Sequence, residues 1–357
     1  MPLHDLVVIG GSAGALQALT SIVELLPPTL PACVLIVVHT RAERDGLLPG
    51  LLQRHTKLPV TFAADGDRLK PSHIYVAPPD RHLLVTSSGL RLVHGPRENG
   101  FRPAVDPLFR TASRERGARV IGVILSGGLS DGTYGLSLIK QYGGVAIVQD
   151  PDEAAVDSMP RSALASVDID FVARAAEIPL IIERVSRQPA DKGEDAMAHS
   201  NDLEPQLLSE ERTVAEMEQR FGRASSLTCP DCGGALWEIK EGRVVRYECH
   251  VGHQYGSDGL EAGQRDAVDN ALWTAVRVLE EHAALKTGMA RRSSTQGLSN
   301  AAQGFEEGAR DAHRQAQQIR ALLVGGGGRD VKKHARRAAA AARAPAPRKI
   351  RRTKAKD

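Results

Sequence analysis

The sequence predicts an α/β protein built on a doubly wound, mainly parallel sheet, followed by a small zinc-ribbon-like module and helices. Three observations carry this reading. Valine- and isoleucine-rich runs recur through the first half, bounded by glycine rather than alternating with polar residues, as strands buried on both faces do. Helical stretches lie between several of them. Residues 227–257 then gather three of the four cysteines.

The expected strands are "LVVIG" (6–10), "CVLIVVH" (33–39), "HIYVAP" (73–78), "HLLVTS" (82–87), "RVIGVILSG" (119–127), "GVAIVQD" (144–150) and "DFVA" (170–173). Helices are expected over 14–26, 44–54, 106–116 and 132–142. Residues 74–94 alternate and carry an "SSG" turn, which predicts an antiparallel hairpin. The layout is a catalytic-type domain over 1–186, a polar linker over 187–202, a short helix in 203–226, the cysteine module over 227–257, a helical region over 258–324 and a basic tail over 325–357. In the helical region Leu260, Val268, Leu272, Val276, Leu279 and Ala283 recur at helical spacing, which reads as a packing face.

Composition narrows the function. The chain has 357 residues, 42% of them hydrophobic, enough for a sizeable core. Its net charge of +3 hides an asymmetry. Residues 329–357 carry 12 Lys/Arg against 2 Asp/Glu, so the remainder holds 34 basic and 41 acidic side chains, a balance of −7. The body is acidic and the tail basic. The tail has no aromatic residue for base stacking, so any nucleic-acid contact there is expected to be weak and non-specific. No run suits a membrane span or a signal peptide, and clustered cysteines suit metal in a reducing compartment, so a cytoplasmic location is expected.

The stretch "LVVIGGSAGALQAL" breaks from strand into glycines and restarts as a helix around Ser12. Gly10, Gly11 and Gly14 lack the spacing of a dinucleotide fingerprint, and no lysine completes a Walker loop. G-x-S-x-G over 10–14 fits a nucleophile elbow, with helix N–H groups beside the hydroxyl for an oxyanion. The competing reading makes Ser12 a helix N-cap. A nucleophilic serine needs a base and an orienting acid, and in open α/β sheets these gather at the carboxyl ends of strands. That filter selects His39, which ends a buried run, and leaves Asp131 (in "LSGGLSDG") and Asp150 (ending "GVAIVQD") as rival acids.

The set "VVIGGSAGALQAL", "IVVHT", "HIYVAPPDRHL", "RPAVDPLFRTAS", "VILSGGLSDGTYGL" and "GGVAIVQDPDEA…MP" resembles the catalytic domain of CheB-type protein-glutamate methylesterases over about 3–185. The resemblance implies hydrolysis of γ-glutamyl methyl esters, and deamidation of glutamine, on methyl-accepting receptors or other methylated proteins, in chemotaxis-like signalling. It implies Ser12, His39 and Asp131 as the triad, with no catalytic cofactor, and it places Arg102 and His82 in motifs that could line a substrate groove. Ala13 and Gly128 stand where many relatives carry Thr and Met, so backbone N–H groups are left to hold the oxyanion. Ser12 lies too near Met1 for the receiver domain of the longer enzymes to precede it, so control by phosphorylation within the chain is not expected. The alternative is an adaptor that keeps the fold without the chemistry.

"CPDC" (229–232) and "CHVGH" (249–253) flank a hairpin-like stretch. This spacing predicts a structural zinc held by Cys229, Cys232, Cys249 and His253. His253 is preferred to His250 because three intervening residues let the chain turn back to the ion. The catalytic domain is expected to work without this module.

Overall fold

In the computed structural model, residues 2–39, 47–190 and 213–325 are described. The linker centre, the start of the expected 44–54 helix, the first part of 203–226 and the basic tail lie outside them. The chain divides into two compact units, Met1–Gln264 and Arg265–Asp357.

The first unit holds a seven-stranded sheet in the order β3-β4-β2-β1-β7-β8-β9, with every neighbouring pair parallel. Its strands are β1 (Leu6–Gly11), β2 (Cys33–Val38), β3 (Val60–Phe62), β4 (Ile74–Val76), β7 (Val120–Ile124), β8 (Val145–Gln149) and β9 (Phe171–Ala173). The hairpin expected over 74–94 is narrower. Ile74–Val76 joins the main sheet, and β5 (His82–Thr86) pairs antiparallel with β6 (Gly89–Val93) beside it.

Because successive strand residues point to opposite faces, β1 feeds two cores. Val7 and Ile9 pack with α1 (Ala15–Leu25), α2 (Leu48–Gln53) and α6 (Ile178–Ser186). Leu6 and Val8 face α3 (Val105–Arg116), α4 (Thr133–Gln141), α5 (Ser158–Ser166) and the β5–β6 hairpin. Double-sided burial explains the unbroken apolar runs. Strand order reverses at β1, which has β2 on one side and β7 on the other, and in open α/β sheets functional groups gather at the carboxyl ends of the strands at such a switch point.

After α7 (Val214–Phe221) the cysteine module forms an antiparallel sheet of β10 (Leu236–Glu241), β11 (Val244–Cys249) and β12 (Gln254–Gly256). It is part of the first unit. Val244 packs with Tyr134 and Leu138 of α4, and the Arg246 guanidinium lies 4.9 Å from the Tyr134 ring centroid. The module thus packs against the catalytic domain. A sheet whose own cluster centres on Leu236, Tyr255 and Leu260 is too small to cover Val244, which borrows an apolar partner from α4.

The second unit contains most of α8 (Ser257–Thr295) and all of α9 (Ser299–Gly325), joined by an ion pair between Arg320 and Glu280 at 2.8 Å. The expected stripe is only partly a packing face. Val276 and Ala283 are buried, but Val268 is 58% exposed.

Candidate active site

Ser12 follows β1 at a turn that tolerates no side chain on its glycines. A Cβ on Gly10 would collide with Val105, one on Gly11 would come within 2.6 Å of the Ala15 Cβ, and Gly14 adopts φ +82. Gly14, not Ser12, is the N-cap of α1, and no side chain caps that helix. The Ser12 hydroxyl is free for another partner, which is His39. Backbone bonds fix the elbow: Ser12 N–H donates to the Ser126 carbonyl (2.9 Å) and His39 N–H to the Gly11 carbonyl (3.2 Å).

The His39 ring presents Nδ1 to Ser12 Oγ at 3.0 Å and Nε2 to Asp131 Oδ2 at 2.6 Å. Both side chains of the second contact are almost wholly buried, at 2% and 1% exposure. Phe101 stacks on the imidazole, with centroids 3.7 Å apart and planes 10° from parallel. Asp131 also accepts from Val105 N–H (2.7 Å), Asp106 N–H (3.2 Å) and Asn99 Nδ2 (3.0 Å). Burial pushes this carboxyl up, but the His39 hydrogen bond and charge, with the two backbone donors, hold it below the ordinary aspartate value. Asp106 behaves oppositely. Burial first, and then the neighbouring Asp131 charge, push it well above that value despite its bond from Gly135 N–H. The rival acid Asp150 instead accepts from Asp152 N–H in its own turn.

Arg102 and His82 are committed within their own segment. Arg102 bonds both Asp80 Oδ1, through Nε and Nη2 (2.9 and 2.7 Å), and the Gly95 carbonyl (2.7 Å). His82 is 3% exposed, with Nε2 on the Pro96 carbonyl and Nδ1 accepting from Ala104 N–H. The groups that do surround His39 and Asp131, namely Asn99, Phe101 and Asp106, were not singled out by the sequence. "ENG" signals only a turn there.

In the module, the ligand atoms of Cys229, Cys232, Cys249 and His253 lie within 4.8 Å of one another. The Cys232 and Cys249 sulfurs are 3.7 Å apart, and Cys249 Sγ is 3.5 Å from His253 Nδ1. That is far beyond a disulfide bond, and it matches the ~3.8 Å edge of a tetrahedron with Zn–S bonds of about 2.3 Å. The Cys249 contact drives the Cys229 thiol down to about 3 while pushing Cys249 up, and burial raises Cys232. Three sulfurs this close cannot all be thiolates without a cation, so the donor set fits a zinc ion. His250 stands aside, its buried Nδ1 without a hydrogen-bond partner.

A serine, an imidazole and a buried carboxylate joined at the switch point of a doubly wound sheet are the equipment of a serine hydrolase. Residues 7–182 match the family model for the CheB methylesterase. A Leptospira interrogans protein, provisionally named protein-glutamate methylesterase/protein-glutamine glutaminase, is 37% identical over 185 residues, covering 52% of this chain and 96% of that protein. Protein-glutamate methylesterase/protein-glutamine glutaminase 2 of Anaeromyxobacter dehalogenans is 37% identical over 51% of this chain and 54% of its own length. The solved Thermotoga maritima CheB methylesterase catalytic domain is 33% identical, with a TM-score of 0.49 over 50% of this chain and 97% of that one. The chain belongs to the CheB methylesterase family, a family of carboxylic ester hydrolases.

Proposed function

We propose that residues 1–186 hydrolyse γ-glutamyl methyl esters, and deamidate glutamine, on methyl-accepting receptor-type proteins through an acyl-enzyme on Ser12. The continuous Ser12–His39–Asp131 hydrogen-bond chain carries this reading. With Nε2–H donated to Asp131, Nδ1 is unprotonated and takes the Ser12 proton as Oγ bonds to the ester carbonyl carbon. The tetrahedral oxyanion is held by backbone N–H groups at the start of α1, with Ala13 N–H foremost, because the Ser12 and Gly127 amides are already bonded to carbonyls. Collapse breaks the C–O bond, and His39 returns the proton to the departing methoxide, giving methanol. Water then repeats the sequence on the acyl-enzyme and leaves a glutamate carboxylate. Glutamine follows the same path with ammonia as the leaving group. Ionised Asp131 stabilises the imidazolium in both halves.

Arg102 and His82, expected as substrate contacts, act in this proposal by bracing the segment that carries Phe101. The Cys229, Cys232, Cys249 and His253 set holds a structural zinc, which supplies folding energy to the module and no chemistry to the ester. A cytoplasmic setting is part of the same proposal; among the described residues no helix is long and apolar enough to cross a membrane. The expected nucleic-acid contact falls on the tail, outside the described residues.

The deciding experiment is methanol release from methylated receptor protein. The wild-type chain should release it, and Ser12→Ala should not, with an unchanged circular dichroism spectrum. Turnover retained in Ser12→Ala removes the serine mechanism.

A further inference from the structure

The cysteine module reaches the catalytic acid through one side chain. Asn99 donates from Nδ2 to Asp131 Oδ1 (3.0 Å) and accepts at Oδ1 from the Gly256 N–H of the module (2.8 Å). Its own backbone N–H donates to the Gln254 carbonyl (2.7 Å), so module strand β12 grips both its main chain and its side chain. The residue is buried and held at φ 52, a left-handed conformation that its contacts must maintain. Two residues on, Phe101 is tied back to Glu98 by paired backbone bonds and stacks on His39. The segment 98–101 therefore touches two members of the triad on one side and the module on the other.

The Asn99 side chain bonds both Asp131 and the module. Beside Asn99 the contact is open: a cavity of about 330 Å³ separates α4 and α5 from the module, lined among others by Ser130, Ser162, Arg246 and Tyr255. The buried Ser130 hydroxyl, next to Asp131, has no hydrogen-bond partner. Besides Asn99, the module meets the catalytic domain at the Arg246–Tyr134 stack, in the Val244 cluster, and where Gly256 and Gly252 come close to Ser130 and Pro96.

We infer that Asn99 is a positioning residue through which the docked Cys3His module holds Asp131, so that undocking the module slows the hydrolase while leaving Ser12 and His39 in place. The inference rests on the hydrolase and zinc readings above. An Asn99 that loses the Gly256 partner of its side chain and the Gln254 partner of its main chain is free to turn its amide away from Asp131. The carboxylate then loses one of four donors and part of the restraint that aims Oδ2 at His39. A hydrogen bond to a charged group carries enough free energy for a rate loss of about 10- to 100-fold. Metal is the natural control, because the hairpin that presents Gly256 depends on its ligand cluster for order.

The test uses the full-length chain and a fluorophosphonate probe. Ser12 Oγ bonds to phosphorus, fluoride leaves, and His39 takes the proton, so the labelling rate reads the triad without needing the natural substrate. Asn99→Gly removes the side chain while accepting the positive φ. Gly259→Val acts from the other side, since even its Cβ comes within 2.9 Å of Asn99 Oδ1. Both variants should lose about 10- to 100-fold in the maximal labelling rate with unchanged probe affinity. Both should also shift the downfield proton resonance of the His39–Asp131 bond, and Asn99→Gly should keep its zinc. Chelation should slow the wild type by a similar factor, zinc should restore it, and chelation should add nothing in Asn99→Gly, because both act through one contact. A metal-stripped wild type that labels at full rate overturns the inference, and so does a chelation effect undiminished in Asn99→Gly. A wild type that labels no faster than Ser12→Ala overturns the hydrolase reading itself, a different result from equal and rapid labelling of wild type and variants.

Discussion

Replacing Asp106 by Asn removes one of two buried carboxyls that meet behind the imidazole. Asp106 and Asp131 are 6% and 1% exposed and share the Asn99 amide as a donor, at 3.3 and 3.0 Å. Asp131 keeps its charge because His39 and two backbone N–H groups stabilise it, and that charge, with burial, keeps Asp106 protonated. The sign of the linkage follows. In the unfolded chain Asp106 ionises near 3.8, whereas the folded group holds its proton to higher pH. Its contribution to stability is complete below the unfolded value and is lost as pH rises towards the folded one. For each pH unit in which only the unfolded chain has ionised, wild type loses about 1.4 kcal/mol. Asn cannot ionise, and its carboxamide oxygen can still accept from Gly135 N–H. It forfeits the Asn99 bond at about 1 kcal/mol. Asp106→Asn should therefore be slightly less stable than wild type at pH 4 and should gain on it as pH rises above the unfolded value. Urea unfolding followed by circular dichroism at each pH measures the difference, and Asp131, present in both chains, largely cancels. Fluorophosphonate labelling should stay within several-fold of wild type, since Asn keeps the shape of Asp106 and an oxygen that accepts from Gly135 N–H. A stability difference that is flat with pH, or a labelling loss as deep as that of Asp131→Asn, refutes the assignment of charges.

Phe101→Ala should slow labelling of Ser12 by about three- to tenfold, the equivalent of one lost aromatic stack, with Phe101→Tyr close to wild type; equal rates in Phe101→Ala and wild type would show that the ring does not help fix His39. His39→Gln and Asp131→Asn should each remove most methanol release, and adding either to Ser12→Ala should cost little more, as for residues that act as a unit; losses that multiply would break the triad. Elemental analysis should find one zinc per chain in wild type and His250→Ala, and none in His253→Ala or Cys232→Ser; a zinc-loaded His253→Ala with a metal-free His250→Ala would exchange the two histidines.

The main sheet was readable because parallel strands buried on both faces need unbroken apolar runs. What escaped has equally local causes. β3 is three residues long, too short to show a period. In α5, "SMPRSALAS" mixes small and polar residues around Pro160 and resembles a loop, and α6 begins with "IP" and an apolar run. The meeting of the Ser12, His39 and Asp131 side chains was readable for a topological reason. Ser12, His39 and Asp131 each follow a strand, and β2, β1 and β7 are neighbours at the reversal of strand order. The choice between Asp131 and Asp150 was beyond the residues alone, because each follows a strand, and the family resemblance favoured Asp131.

Asn99 could not be read from sequence, because its partners are distant: Asp131 lies 32 residues away and Gly256 lies 157 away. A polar linker and a compact cysteine cluster give no sign of a contact with the catalytic domain. The reason for that contact is the size of the module's core. A three-stranded sheet clustered on Leu236, Tyr255 and Leu260 leaves Val244 uncovered, and Tyr134 and Leu138 cover it. Both belong to α4, the helix that starts two residues after Asp131. A module short of apolar partners thus docks where the chain leaves the acid loop, and that docking brings the Gly256 amide to the back of the catalytic carboxylate. In the inference drawn above, the same deficit that calls for a metal in residues 227–257 places that metal's module one side chain from Asp131.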